Sequence, residues 1–383
     1  MTVQPSGSEK KSKKNKKQNA PAGFFASLRV KPLIYFVGLP CMLAFFAVYV
    51  YVVISESEGS VAPTDVALKG DVPSKQPIPL SSEHTIRRQP IDELEWSEEE
   101  DFIDGVVARG RPVLLRNSPV RSWPVHQWDL GGMAKDGLLL NGSRLQNSPV
   151  FVLGRERDKG GMLGKDSDLE VSYVNVYLKD FLHSMFDKDT YMYWTGPCAL
   201  VDQFRNGLQQ TESVATPSAF GNWEMLKVVE SSVNISRDDE TLWTPMLWLS
   251  HPGVTAHTHY DTQHNFFAQI FGKKSFLIFE QHSELYPYPN IHHSYRQSQV
   301  RLENSSYFPR PAGDASPVRS AVERFPKSRK LDAIEVAVKP GDLLYIPPYW
   351  SHRVESETLA MSVSVLSPSA TEVSRILPLQ QVS

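Results

Sequence analysis

The sequence predicts a mainly β fold of the jelly-roll or barrel kind, with flanking helices and one transmembrane helix ahead of it. Two observations carry the β part. Beyond Pro245, short apolar or alternating runs follow one another at 246–249, 265–271, 275–279, 334–338, 343–346, 352–355 and 361–366. Gly-Lys, Pro-Gly-Asp and Pro-Pro turn signals separate several of them, the pattern of many short strands joined by turns. The third observation is an unbroken apolar stretch over 33–54, about the twenty residues that cross a bilayer as a helix.

Taken in order, residues 1–32 read as a disordered basic tail, crowded by Lys10, Lys11, Lys13, Lys14, Lys16 and Lys17. The apolar stretch after it starts later and runs longer than a cleaved signal peptide. It ends in Ser-Glu-Ser-Glu rather than at a small-residue cleavage site, so it reads as an uncleaved anchor. Arg29 and Lys31 precede it, and Glu56 and Glu58 come after it, which orients the tail to the cytosol and the rest to the lumen or cell exterior. The expectation is a single-pass type II membrane protein of the endomembrane system or cell surface. Sequons at Asn141, Asn234 and Asn304 fit a glycosylated lumenal domain.

Charge and cysteine content narrow the function. The basic tail leaves the remainder more acidic than the formal net charge of -3 states, so no nucleic acid is expected as a partner. Only Cys41 and Cys198 are present, which excludes a disulfide framework and a cysteine-rich zinc site. Cys198 reads as a buried, inert thiol.

Residues 55–85, mixing Ser, Pro, Gly, Lys and Asp, read as a stem, succeeded by one domain over 86–370 and a short tail over 371–383. Ser97-Glu-Glu-Glu100 resembles a capping box opening an amphipathic helix with Phe102, Ile103, Val106 and Val107 on one stripe. Residues 111–116 read as a buried strand. A second helix is expected over 177–186, with Leu178, Phe181, Leu182, Met185 and Phe186 as its core stripe. Residues 303–319, rich in Ser, Pro, Arg and Gly, read as an exposed loop.

The chemistry concentrates at 257–280. In a strand, His257, His259 and Asp261 would share one face, a place to hold a metal. A His-x-Asp pair joined by a histidine far along the chain is how a two-histidine, one-carboxylate site for non-haem Fe(II) is assembled. His352 qualifies as that distal histidine, because Pro340-Gly-Asp-Leu-Leu-Tyr-Ile-Pro-Pro-Tyr-Trp350 delivers a strand and a tight turn directly before it. A His-x-Asp by itself is more often structural, and Lys274 by itself is a turn lysine.

Together, His259-x-Asp261, Asn265, Gly272-x-Lys274, Gly341-Asp through Pro347, and His352 resemble the JmjC family of Fe(II)- and 2-oxoglutarate-dependent oxygenases. Asn265-Phe-Phe-Ala-Gln-Ile, Leu285-Tyr-Pro-Tyr-Pro, Arg296-Gln-Ser-Gln-Val and Glu323-Arg-Phe-Pro look like its asparaginyl hydroxylases, with a likeness covering roughly 86–367. The resemblance implies a double-stranded β-helix, a cupin-like JmjC jelly roll. It implies iron on His259, Asp261 and His352, which carry the catalysis. Lys274, Asn265 and Tyr193 would contact 2-oxoglutarate, and Arg296 and Gln297 the target amide of a protein or peptide substrate. O2 is the second cosubstrate, and the reaction couples oxidative decarboxylation of 2-oxoglutarate to hydroxylation of a side chain, of the Asn, Asp or His type.

Against that pattern, Ala256 stands where the family has a threonine, Leu366 and Pro368 where it has Asn and Trp, and Thr195 where it has Gln. Helices that dimerise those hydroxylases have no counterpart, so dimerisation by that route is not assumed. The two functions compared are therefore a membrane-anchored oxygenase hydroxylating a protein side chain and a catalytically inactive cupin-like adaptor of the secretory pathway.

Overall fold

The computed structural model describes residues 75, 78–127, 139–146, 150–151, 170–187, 189–198, 221–229, 243, 245–280, 283–289, 295–304 and 320–372. The basic tail, the apolar stretch 33–54 and Asn234 lie outside these residues. Among the described residues no helix is long and apolar enough to cross a membrane.

In chain order the elements are β1 (Thr85–Pro90), β2 (Asp92–Glu95), α1 (Phe102–Ala108), β3 (Val113–Arg116), β4 (Leu139–Gln146), β5 (Val150–Phe151), β6 (Glu170–Tyr177), α2 (Leu178–Ser184) and β7 (Tyr191–Pro197). Then come β8 (Met246–Ser250), β9 (Thr255–Tyr260), β10 (Gln263–Phe271), β11 (Lys274–Phe279), α3 (Ala321–Arg324), β12 (Lys330–Val338), β13 (Leu343–Ile346), β14 (Ser351–Ser356) and β15 (Ala360–Pro368). They build a six-stranded sheet, β1-β12-β11-β14-β9-β5, and a nine-stranded sheet, β2-β3-β13-β10-β15-β8-β7-β4-β6. The last eight strands are shared four to each sheet, with β9, β11, β12 and β14 in the smaller and β8, β10, β13 and β15 in the larger. That is the jelly-roll arrangement the sequence predicts.

Alternation along the strands sorts the core into three layers. Phe267, Leu344 and Ile346 of the larger sheet meet Phe276, Ile278 and Val336 of the smaller one between the sheets. Phe266, Ala268, Tyr345 and Val363 point the other way, onto α1 and α2 through Val106, Phe181 and Leu182. On the outer side of the smaller sheet, Leu277, Phe279 and Leu331 pack against Leu285, Val300 and Leu302. Strands buried on both faces read as continuous apolar runs, which is why they stand out in the sequence.

Several expectations are corrected. The β pattern does not begin at Pro245. β4, β6 and β7 precede it, and β6 is inconspicuous because exposed Asn175 and Tyr177 alternate with half-buried Val174 and Val176. Helix α1 is capped at Asp101 with no side-chain cap bond; Ser97 Oγ instead accepts from the Glu99 N–H at 3.2 Å. Phe186 lies beyond the end of α2 and is 46% exposed. Glu303, expected on an exposed loop, is buried. The end of the expected stem is folded as well, since Ile78 and His84 are buried, and the His84 ring meets the carbonyls of Ser328 (2.9 Å) and Arg301 (3.2 Å).

Gly272-Lys-Lys274 is not the turn of a hairpin, because β10 and β11 belong to different sheets. It is the corner between them. Gly272 has φ +69°, and a Cβ there would fall 2.0 Å from the Leu359 carbonyl oxygen, so only glycine fits.

Candidate metal centre

His259 of β9 and His352 of β14 are paired across neighbouring strands, with ring centroids 4.4 Å apart. Asp261 comes directly after β9, its Oδ2 lying 3.7 Å from His352 Nε2. One donor atom from each of the three lies within 4.8 Å of the others. His259 Nδ1 donates to the His257 carbonyl at 2.7 Å, and His352 Nδ1 to the Trp350 carbonyl at 3.0 Å. Both rings thereby keep Nε2 free to bind a metal, each oriented by the bond its other nitrogen makes. The backbone N–H of Tyr349 donates to the Asp261 carbonyl at 2.7 Å and fixes the residue between them.

Electrostatics suit a cation. Burial, and then the charge of His352, push His259 down to about 4, so its imidazole is in the neutral, ligating form at pH 7. Burial would raise the Asp261 carboxyl. His259, His352, Arg296 and a hydrogen bond from Asn265 together hold it below the ordinary carboxylate range.

His257 is not part of the group. β14 pairs His352 with His259 but Val354 with Ala256, so two residues of β9, His257 and Thr258, stand against the single residue Arg353. This β-bulge breaks the strict alternation assumed for the strand. It turns His257 to the outer face, where its Nε2 donates to the Ser298 carbonyl at 2.8 Å.

The remaining sequence candidates gather around the chamber between the sheets. Asn265 lies on the inner side of β10, and its Oδ1 is buried without a hydrogen-bond partner among the described residues. Lys274 is 2% exposed, shares the inner side of β11 with Phe276 and Ile278, and sits over the Phe267 ring at 5.4 Å. No carboxylate among the described residues forms an ion pair with it, and burial pushes its ammonium down to about 7. Tyr193 of β7 is buried; burial, and then the charge of Asp261, push its phenol up. Arg296 reaches the triad, with Nη1 3.7 Å from Asp261 Oδ1, and has φ +78°, a backbone that costs a non-glycine residue about 1–3 kcal/mol. Gln297 is buried beside it and forms a β-bridge with His259.

The family departures also have positions. Leu366 stands directly opposite Asn265 in β15, and Ala256 opposite Val354. Thr258 and Thr195 each carry a buried hydroxyl without a hydrogen-bond partner among the described residues. Sequence reasoning missed Trp248. This half-buried residue packs on both the Tyr193 and the Phe267 clusters, and its indole N–H donates to Ser364 Oγ at 2.9 Å. Its place in the alternating run 246–249 was the only signal.

Two imidazoles and a carboxylate with one open side fit Fe(II). The enclosed Lys274 and the Asn265 Oδ1, both without a partner among the described residues, would suit a small dicarboxylate. The chain belongs to the cupin-like family of the JmjC type: a family model described as a cupin-like domain matches residues 99–367. Jumonji C domain-containing protein 5 of Drosophila melanogaster is 26% identical over 286 residues, 72% of this chain and 59% of that protein. Lysine-specific demethylase JMJ30 of Arabidopsis thaliana is 34% identical over 119 residues, 30% and 24% of the two chains. tRNA wybutosine-synthesizing protein 5 of Mus musculus is 32% identical over 127 residues, 33% and 35% of the two chains. The matched region spans less than two thirds of each relative. Their names run from demethylation to tRNA modification, and none of the three is named an asparaginyl hydroxylase.

Proposed function

We propose that the chain is an Fe(II)- and 2-oxoglutarate-dependent oxygenase that hydroxylates a protein side chain, with Asn, Asp or His as the target. In this reading residues 33–54 anchor it as a type II membrane protein with the barrel in the lumen or outside the cell. The observation that carries the enzymatic part is the combination of an open two-histidine, one-carboxylate group with a buried lysine lacking an acidic partner among the described residues.

His259 and His352 would hold the iron through Nε2, and Asp261 through its carboxylate. Bound iron and 2-oxoglutarate supply the oxidising chemistry, in which decarboxylation of the cosubstrate accompanies hydroxylation of a C–H bond. Lys274 pairs with the distal carboxylate of 2-oxoglutarate, while Asn265 and Tyr193 add hydrogen bonds. Arg296 and Gln297, at the Asp261 side, orient the target side chain. Enclosure between the sheets keeps bulk water from these contacts and strengthens each of them.

Anaerobic titration of the full chain with Fe(II) and 2-oxoglutarate, then a succinate assay in air, tests this. Binding of both, with uncoupled succinate release that is lost in His259→Ala, is the expected result. Absence of iron binding would sink it. The second reading, a binding protein without turnover, is favoured by Leu366 opposite Asn265 and by Ala256, which remove polar groups from the chamber. It corresponds to metal and 2-oxoglutarate binding without succinate.

A further inference from the structure

The charged groups that the metal centre leaves unused lie directly behind it, on the outer side of the smaller sheet. Glu303 is fully enclosed. Its Oε1 accepts from Arg353 Nε at 2.7 Å, and its Oε2 lies 4.0 Å from His257 Nδ1. Arg353 Nη1 donates to Glu355 at 2.8 Å. Ile78, Pro79 and Leu80 lie over the cluster and, with Arg353 and Glu355, line a cavity of about 430 Å³. Charges this deeply enclosed are a poor source of stability, because desolvation offsets their attraction. What such a cluster supplies is a fixed geometry.

That geometry is connected to the ligands at two points. Arg353 comes next after His352 in β14 and is the residue that faces the bulge of β9. His257 is one of the two bulged residues, and its carbonyl is the acceptor that orients the His259 ring. The His257 side chain is held from outside by its bond to Ser298, with Glu303 Oε2 4.0 Å from Nδ1, and its backbone carbonyl orients a ligand inside. Ser298 also lies two residues from Arg296, on the same short segment as Gln297. The bulge is therefore gripped by the segment that carries both candidate substrate residues.

We propose that His257, Glu303 and Arg353 are positioning residues: by pinning the bulge from behind, they set the His257 carbonyl that aims His259 Nε2 at the metal. The proposal rests on the metal-centre reading above and concerns the hold on the metal, not turnover. Loosening an outer partner of a ligating histidine typically weakens metal affinity by roughly 10- to 100-fold.

The test uses Co(II) as the probe, bound to the full-length chain in detergent and monitored by its visible absorption spectrum. His257→Ala should weaken Co(II) binding by roughly 10- to 100-fold and alter the spectrum. Glu303→Gln should act in the same direction. His257→Gln, whose amide can still donate to the Ser298 carbonyl, should restore most of the affinity, a rescue that a general loss of packing would not show. If His257→Ala fails to fold, Glu303→Gln and His257→Gln decide the matter. Wild-type affinity and spectrum in both His257→Ala and Glu303→Gln would overturn the proposal while leaving the metal centre intact. A wild type that takes up no Co(II), or takes it up equally after His259→Ala, would overturn the metal centre and the cluster's role with it.

Discussion

Lys274 is a buried amine set over the Phe267 ring. Its pKa of about 7 means that above neutrality the free amine must take up a proton before it can pair with a carboxylate. Affinity for 2-oxoglutarate is therefore expected to be nearly constant below pH 7 and to fall by about tenfold per pH unit above it, measured as a dissociation constant with Co(II) in place of iron. Lys274→Met should lose roughly 10- to 100-fold of that affinity and all of the pH dependence. A constant affinity between pH 6 and 9 would contradict the role. The sign for folding is the opposite. In the unfolded chain the lysine keeps its ordinary value of 10.5 and binds the extra proton, so the ligand-free protein gains stability as pH rises from 7 to 10.5. Lys274, His259, Asp261 and His352 were legible because each stands at a fixed spacing from a turn or from another ligand. His257 was misplaced because its side is decided by β14, and no property of its own strand announces the extra residue. Glu303 and Arg353 were illegible for a related reason, since charged residues are read as exposed until the chain that covers them is known.

The corner at Gly272 shows the same division among elements. Gly272→Ala would force a Cβ against the Leu359 carbonyl in a left-handed backbone, and should cost at least about 1–3 kcal/mol, read as a lower urea midpoint. An unchanged midpoint would mean that the corner rearranges freely. Strands β10, β11 and β13 were readable because both of their faces are apolar, whereas β4, β6 and β7, at the end of the larger sheet, mix polar and apolar residues. Capping signatures were ambiguous. Ser97 and Glu100 carry one that does not form, while Ser320 and Glu323 form a complete capping box at α3, with Glu323 N–H to Ser320 Oγ and Ser320 N–H to Glu323 Oε2 both at 3.0 Å. Local pattern permits a cap, but the point at which the backbone enters the helix decides whether one is made.

For the whole molecule, the jelly roll could be read from the run of strands and turns beyond Pro245, but its pairing order could not, because strands adjacent in sequence there, β11 and β12 excepted, are dealt to different sheets. The proposed membrane anchoring and its orientation are open to direct measurement. If the barrel faces the lumen, glycosidase treatment of the cellular protein should increase its mobility on a gel, and replacing Asn304, an exposed residue, should remove one step of that shift. An unglycosylated chain whose barrel is digested from the cytosolic side would reverse the orientation. The junction between stem and barrel adds a mechanical consequence. Residues 79–81 are joined to 302–304 by Ser81 N–H to the Leu302 carbonyl at 2.8 Å and Asn304 N–H to the Pro79 carbonyl at 3.0 Å. A pull on the chain ahead of residue 79 would therefore load the segment bearing Glu303 before it loaded the rest of the barrel. A fragment cut at residue 86 would lack that brace, leaving the side of the molecule behind the ligands open to water.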